Sequence, residues 1–166
     1  MKAKMPDSAE LRRIAMANPS AFLAFGLGSG LSPKAPGTVG TVAALLPAIA
    51  LVQLPMVWAL AVVVLAFVIG VVICEWTGRE LGVHDHGGLV WDEFVGMWLV
   101  LLFVPIHWAW WLAAFVAFRV FDVIKPWPIR WVDSRVKGGF GVMIDDVIAA
   151  IFALAVLLPV LWWGPW

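Results

Sequence analysis

Apolar and polar positions fall in long blocks along this chain. Met1 to Pro19 reads as a short amphipathic surface segment, with Leu11, Ile14 and Ala15 on one helical face, Arg12 and Arg13 beside them, and Asn18-Pro19 ending it. Gly26 to Gly40 is rich in Gly, Pro, Ser and Thr, which predicts a loop and not a regular helix. Such backbone is costly in lipid unless protein buries it or water reaches it. From Thr41 to Cys74 the chain is apolar, interrupted by Pro47, Gln53 and Pro55. The run divides near Pro55, and its second half, Met56 to Cys74, is close to the roughly 20 residues that a bilayer crossing requires. The first half spans only if tilted or re-entrant. Two more apolar helices are predicted over Val90 to Ile106 and Trp108 to Val123. Pro126 and Pro128 break the chain after Lys125, a Gly-rich turn follows at Gly138, Gly139 and Gly141, and a last helix runs from about Met143 to Leu161. Trp162, Trp163 and Trp166 at its end read as an interfacial belt. There is no internal repeat or domain-sized linker, so residues 1–166 are expected to form one all-α domain, a compact helical membrane protein.

Composition strengthens the membrane reading. Hydrophobic residues make up 63% of the 166, charged residues 13%, and mean hydropathy is +0.97, more apolar surface than a soluble domain of this size can hide. Twelve Trp and no Tyr also suit a chain bordered by headgroups. Eleven basic and eleven acidic residues cancel, so no long-range basic field exists to attract nucleic acid. The single cysteine, Cys74, has no intrachain disulfide partner. Lys2, Lys4, Arg12 and Arg13 precede the first long apolar stretch with no cleavable signal pattern after them, which orients this end towards the cytoplasm.

The acids carry the chemistry. Asp85, Asp92, Glu93, Asp122, Asp133, Asp145 and Asp146 fall at or near the ends of apolar helices, interleaved with His84, His86, Arg119, Lys125, Arg130 and Arg135. An ionisable group near the centre of a membrane helix costs at least about 2.5–3.5 kcal/mol, so groups retained there usually face the protein interior and a function. His84-Asp85-His86-Gly87-Gly88 followed by Trp91-Asp92-Glu93 offers imidazole and carboxylate ligands beside a turn. Carboxylates with phosphate oxygens suit Mg²⁺, whereas His with carboxylate also suits Zn²⁺ or Mn²⁺. For Asp85 and Asp92 the competing reading is loop and helix capping; Glu93, deeper in the apolar run, reads as a ligand or base.

Arg119 and Asp122 share a helical face and suit an ion pair, while Lys125 and Arg130, in the extended Lys125-Pro126-Trp127-Pro128-Ile129-Arg130-Trp131 segment, suit phosphate. The alternative for that segment is a juxtamembrane anchor. Asp145 and Asp146 point about 100° apart on a helix, which leaves one for a metal and the other for a cap. The Gly26 to Thr38 loop offers backbone N–H groups, the hydroxyls of Ser29, Ser32 and Thr38, and Lys34 as an anion cradle, without the Gly-Lys-Ser/Thr ending of a Walker A loop.

In this order the blocks Gly28-Ser29-Gly30-Leu31-Ser32-Pro33, Pro36-Gly37-Thr38, His84-Asp85-His86-Gly87, Trp91-Asp92-Glu93-Phe94, Gly96-Met97-Trp98, Arg119 with Phe121-Asp122, Lys125-Pro126-Trp127-Pro128-Ile129-Arg130, Gly138-Gly139 and Met143-Ile144-Asp145-Asp146 resemble the phosphatidylglycerophosphatase A family of bacterial inner membranes, over roughly Asn18 to Ala150. The resemblance implies an all-helical fold and Mg²⁺-dependent hydrolysis of the phospholipid phosphatidylglycerophosphate to phosphatidylglycerol and inorganic phosphate; with the basic N-terminal end oriented inward, the active site is expected to face the cytoplasm. The expected metal ligands are drawn from Asp85, Asp92, Glu93, Asp122, Asp145 and Asp146. His84, Asp85, Glu93 and Asp122 are the expected catalytic groups. Ser29, Ser32, Lys34, Thr38, Arg119, Lys125 and Arg130 are expected on phosphate. The rival class is a divalent-cation transporter or channel component, since membrane carboxylates also line ion paths.

Overall fold

The structure is a computed structural model that describes residues 8–83 and 86–163. Those residues form eight α-helices and one 3-10 turn: α1 (Ser8–Ala17), α2 (Pro19–Ala24), the turn (Ser29–Leu31), α3 (Pro36–Leu51), α4 (Met56–Leu81), α5 (Trp91–Leu101), α6 (Trp108–Ile124), α7 (Ile129–Arg135) and α8 (Gly138–Trp163). The all-α expectation holds. Reversals at 52–55 and 102–107 turn α3 into α4 and α5 into α6, so the starts of α3, α5 and α8 share one end with the finishes of α4 and α6. Every Lys, Arg, Asp and Glu among the described residues belongs to that end.

The central helix is α5, which packs against α3, α4, α6 and α8. It is apolar on nearly all sides, as a helix surrounded by others must be. Trp91 and Trp98 are buried there instead of lying at an interface. The Trp91 indole N–H donates to the Ala66 carbonyl of α4 at 3.0 Å, and that of Trp98 donates to the Ala44 carbonyl of α3 at 2.9 Å. Phe94 stacks on Trp91 with ring centres 5.5 Å apart. A buried indole needs an acceptor for its N–H, and these two rings spend that requirement on fixing α5 against its neighbours.

Small residues set the helix spacing. A Cβ on Gly139 would overlap the Val71 carbonyl oxygen and crowd the Glu75 backbone nitrogen at 2.7 Å, so α8 meets α4 nearly backbone to backbone. The Gly139 N–H donates to Glu75 Oε2 at 2.7 Å, which satisfies a helix-start donor. The Gly-rich stretch is therefore the first turn of α8 and not the turn before it. Other boundaries differ from expectation for similar local reasons. Pro36–Gly40 is helical because Pro36 stands at the first position of α3, where its missing N–H costs nothing. Asn18 caps α2 through Ser20 N at 3.1 Å and starts a helix where a stop was expected. Past Cys74, α4 continues to Leu81 with the Glu75–Arg79 pair at 2.7 Å on its surface, and Gly82, at φ 70°, ends it. In place of the extended segment after Pro126, Pro128 precedes the short helix α7, which holds Arg130 and Trp131.

Two helices, α4 and α8, are long and apolar enough to cross a membrane. Each has 26 residues, or about 39 Å, against a hydrocarbon core of about 30 Å. Most of the apolar stretch of each is not covered by protein, and Val57, Leu65 and Val68 on α4 and Ile151 and Val156 on α8 face outward, as a lipid-facing surface requires. At 16 residues α3 is shorter than a full crossing.

Gly139→Ala should lower stability by roughly 1–3 kcal/mol, the usual cost of overpacking. Thermal melts in detergent should place it well below wild type, with Gly87→Ala, whose Cβ meets nothing within 4 Å, unchanged as the control.

Candidate active site

Two cation-centred clusters stand where α3, α5, α6 and α8 converge. The first is built on Glu93, in the first turn of α5 and buried at 8% exposure. Its Oε2 accepts from the Thr41 hydroxyl of α3 at 2.7 Å and pairs directly with Arg119 Nη1 of α6. Arg119 also bridges to Asp122 Oδ2 at 2.8 Å, one turn along the same helix. Gly37, in the first turn of α3, completes the fit. A Cβ there would collide with Glu93 Oε1 and come within 3.2 Å of Arg119 Nη2, so only glycine lets α3 approach this closely.

The second cluster is centred on Lys125, just past the end of α6. Lys125 has φ 45°, in the left-handed region that costs a side-chain-bearing residue about 1–2 kcal/mol. That turn directs its Nζ to Asp133 Oδ1 of α7 at 2.8 Å and to Asp145 Oδ2 of α8 at 2.5 Å, tying three helical segments together. Burial pulls the Lys125 ammonium down, but the hydrogen bonds and negative charge of Asp133 and Asp145 outweigh it and hold the group above the ordinary lysine range. Lys125 is thus charged throughout the physiological pH range.

Between the clusters lies a cleft of about 280 Å³, lined by Asp92, Glu93, Asp122, Asp145 and Asp146 with Lys125, and by the apolar Leu89, Val123 and Val142. Asp92 Oδ1 accepts from the Glu93 N–H at 2.9 Å. Asp145 Oδ1 and Asp146 Oδ2 are buried with no hydrogen-bond partner, on residues only 5% and 2% exposed. Although they are adjacent on α8, both residues line the cleft. Among the described residues the cations paired with these five carboxylates are Arg119 and Lys125, and buried oxygens without donors are costly in a low-dielectric setting.

Among the described residues no three His, Cys, Asp or Glu side chains converge into a ready-made metal cage. The carboxylates surround the cleft at wider spacing. Mg²⁺ is commonly held by one or two carboxylates, with waters and substrate phosphate completing its octahedron, so this all-oxygen set with unpartnered atoms on Asp145 and Asp146 fits that ion.

Of the residues singled out in the sequence, Asp92, Glu93, Asp122, Lys125, Asp145 and Asp146 line the cleft, with Arg119 beside them. His84 and Asp85 lie outside the described residues. The loop enters differently from expectation. The Ser29 hydroxyl donates to the Gly26 carbonyl at 2.7 Å and that of Ser32 to the Lys34 carbonyl at 2.9 Å, so both are engaged within the loop. Lys34 is exposed, Thr38 is half-buried on α3, and Arg130 is exposed on α7; none of these lines the cleft. Gly37 carries the contact to Glu93 and Arg119. Thr41 is the addition, and Asp133, one of the clustered acids of the sequence, is placed on Lys125. Thr41 opens an apolar run one turn after Gly37, and nothing in its residue type sets it apart from a helix-packing threonine.

The profile of the family described as Phosphatidylglycerophosphatase A matches residues 22–161. The chain is 49% identical over 146 residues to Phosphatidylglycerophosphatase A of Escherichia coli K12, covering 87% of this chain and 85% of that one. It is 45% identical over 161 residues to Phosphatidylglycerophosphatase A of Haemophilus influenzae, covering 96% and 99%. A protein of Bacteroides thetaiotaomicron named Putative phosphatidylinositol-3-phosphatase is 38% identical over 147 residues, covering 82% and 90%. No solved structure matches. With nearly the whole chain aligned at these identities around a carboxylate-lined cleft in a membrane protein, the chain belongs to the phosphatidylglycerophosphatase A family and is a phosphatase.

Proposed function

We propose that this enzyme hydrolyses the terminal phosphate of phosphatidylglycerophosphate, giving phosphatidylglycerol and inorganic phosphate, with Mg²⁺ as cofactor. The observation that carries the reading is the cleft itself: five carboxylates and Lys125 at one end of apolar helices, with buried, unpartnered oxygens on Asp145 and Asp146. A lipid headgroup reaches such a site from the membrane surface while its acyl chains stay in the bilayer.

Asp92, Asp122, Asp145 and Asp146 would hold the ion. Lewis acidity towards phosphoryl oxygens and a lowered pKa for the attacking water are the chemistry that Mg²⁺ supplies when bound. The chain's own residues do the rest. Lys125 offers a fixed positive charge at the cleft wall as negative charge spreads over the phosphoryl oxygens in the transition state. Arg119, shared between Glu93 and Asp122, has a buried Nε without a partner and guanidinium capacity left for phosphate. Glu93 holds Arg119 in place and lines the cleft, where its carboxylate would orient an attacking water. His84 or Asp85, directly preceding the His86–Gly88 segment in sequence, is the candidate to protonate the leaving glycerol oxygen.

Orientation follows from the one-ended charge. Arg12, Arg13, Lys34, Arg79, Lys125, Arg130, Arg135 and Lys137 all belong to the end that carries the cleft, whereas the reversals at 52–55 and 102–107 hold no charged residue. By the positive-inside rule the cleft faces the cytoplasm of a multi-pass protein in the bacterial inner membrane. The same distribution counts against cation transport, because an ion path needs polar groups through the membrane thickness and the far halves of α3 to α6 and α8 carry no charge.

Purified protein in detergent micelles should release inorganic phosphate from phosphatidylglycerophosphate with Mg²⁺ and stop when EDTA is in excess; no release by folded protein rejects the reading. Glu93→Gln should cut kcat by roughly 100-fold or more, the scale of losing an electrostatic catalytic element, while the protein still inserts into membranes. Near-wild-type turnover in that variant would remove Glu93 from the mechanism.

A further inference from the structure

We propose that Thr41 is a positioning residue for the phosphatase reaction, its hydroxyl holding the Glu93 carboxylate in register when Arg119 engages phosphate. The inference rests on the reading of the Glu93 cluster as the active site.

Thr41 lies one turn into α3 and is wholly buried. Its Oγ1 stands 2.9 Å from the Gly37 carbonyl oxygen, 2.7 Å from Glu93 Oε2 and 3.4 Å from Arg119 Nη1. A threonine hydroxyl has one proton and two lone pairs. Two acceptors compete for that proton. The carboxylate is the stronger acceptor and the nearer one, so the proton goes to Glu93, and the Arg119 N–H donates to the oxygen.

An ordinary helical threonine satisfies itself on the carbonyl four residues back, and Gly37 offers that bond. Thr41 instead reaches a carboxylate 52 residues away, because Gly37 has no side chain to hold α3 off Glu93. Gly37 and Thr41 thus act as one device, an empty position and a hydroxyl on the same helical face. Glu93 Oε2 then has a neutral donor from α3 and a cationic donor from α6. When the guanidinium turns towards a phosphate dianion, the neutral donor remains and the carboxylate keeps its orientation at the cleft wall. A side chain of that role affects turnover more than ground-state substrate binding.

The test is steady-state phosphate release from phosphatidylglycerophosphate by full-length Thr41→Val and Thr41→Ser in detergent. Thr41→Val keeps the shape and removes the hydroxyl, so kcat should fall roughly 10–100-fold, the scale of a hydrogen bond to a charged group. KM should stay within about twofold, as for loss of an interaction made in the transition state. Thr41→Ser keeps the hydroxyl and should return kcat to within about threefold of wild type, the residual loss reflecting a missing methyl group. Wild-type kcat in Thr41→Val overturns the proposal, as does an equal loss in both variants, which would assign the effect to disturbed packing at this buried position and not to the hydroxyl. A raised KM at unchanged kcat also overturns it. Should Thr41→Val melt early, Thr41→Ala removes the same hydroxyl without a γ-branch, and full turnover there is equally fatal. If Thr41→Val is normal while Glu93→Gln is inactive, this inference alone fails; if wild type is inert or Glu93→Gln is fully active, the underlying reading fails with it.

Discussion

Negative charge gathered at the ends of apolar helices governs the rest of this structure. Asp92, Glu93, Asp122, Asp145 and Asp146 share one cleft, and the neighbouring cations, Arg119 and Lys125, are each divided between two acids. Removing one partner from a buried pair typically costs about 3–5 kcal/mol, because the remaining charge is stranded in a poor solvent. Such a cluster persists only if the helices bearing it are held in fixed relation. Arg119 does this for α3, α5 and α6 through Thr41, Glu93 and Asp122; Lys125 does it for α6, α7 and α8 through Asp133 and Asp145.

The apolar architecture serves the same end. With Trp91 bonded into α4 and Trp98 into α3, α5 cannot slide, so Asp92 and Glu93 in its first turn keep their height at the cleft. Gly96 admits the Phe118 ring of α6 and the Asp146 carbonyl of α8, where a Cβ would lie 2.7 Å and 3.2 Å from them. Gly139 brings the start of α8 against α4, which places Asp145 and Asp146 opposite α5. Glycines, indole N–H groups and ion pairs are one system here. The first two permit close backbone approach, and the third uses it.

Much of this was legible in the residues. Acids and bases inside apolar helices are conspicuous, and Glu93, Arg119, Asp122, Lys125, Asp145 and Asp146 were identifiable because lipid makes an idle charge expensive. Thr41 was not, since a threonine in an apolar run is cheap and carries no such mark. The Gly/Ser-rich loop drew attention to Ser29 and Ser32 through their type, but their hydroxyls close turns within the loop, and the contact with the cleft passes through Gly37, a residue with no functional group. Lys125 was found as a cation, though not its left-handed backbone, because only tertiary partners sustain that conformation. Helix limits at Pro36, Leu81 and Gly138 moved for reasons of capping and close packing that local pattern does not encode.

We propose that the unpartnered carboxylate oxygens on α8 bind a divalent ion. The direct measurement is titration of Mn²⁺, a paramagnetic stand-in for Mg²⁺, into the purified protein in nanodiscs, with and without inorganic phosphate, following free ion by electron paramagnetic resonance. The expected result is saturable binding that Mg²⁺ displaces, that phosphate strengthens and that Asp146→Asn weakens in a protein that melts normally. Binding absent from wild type under both conditions, or unchanged in Asp146→Asn, would contradict it.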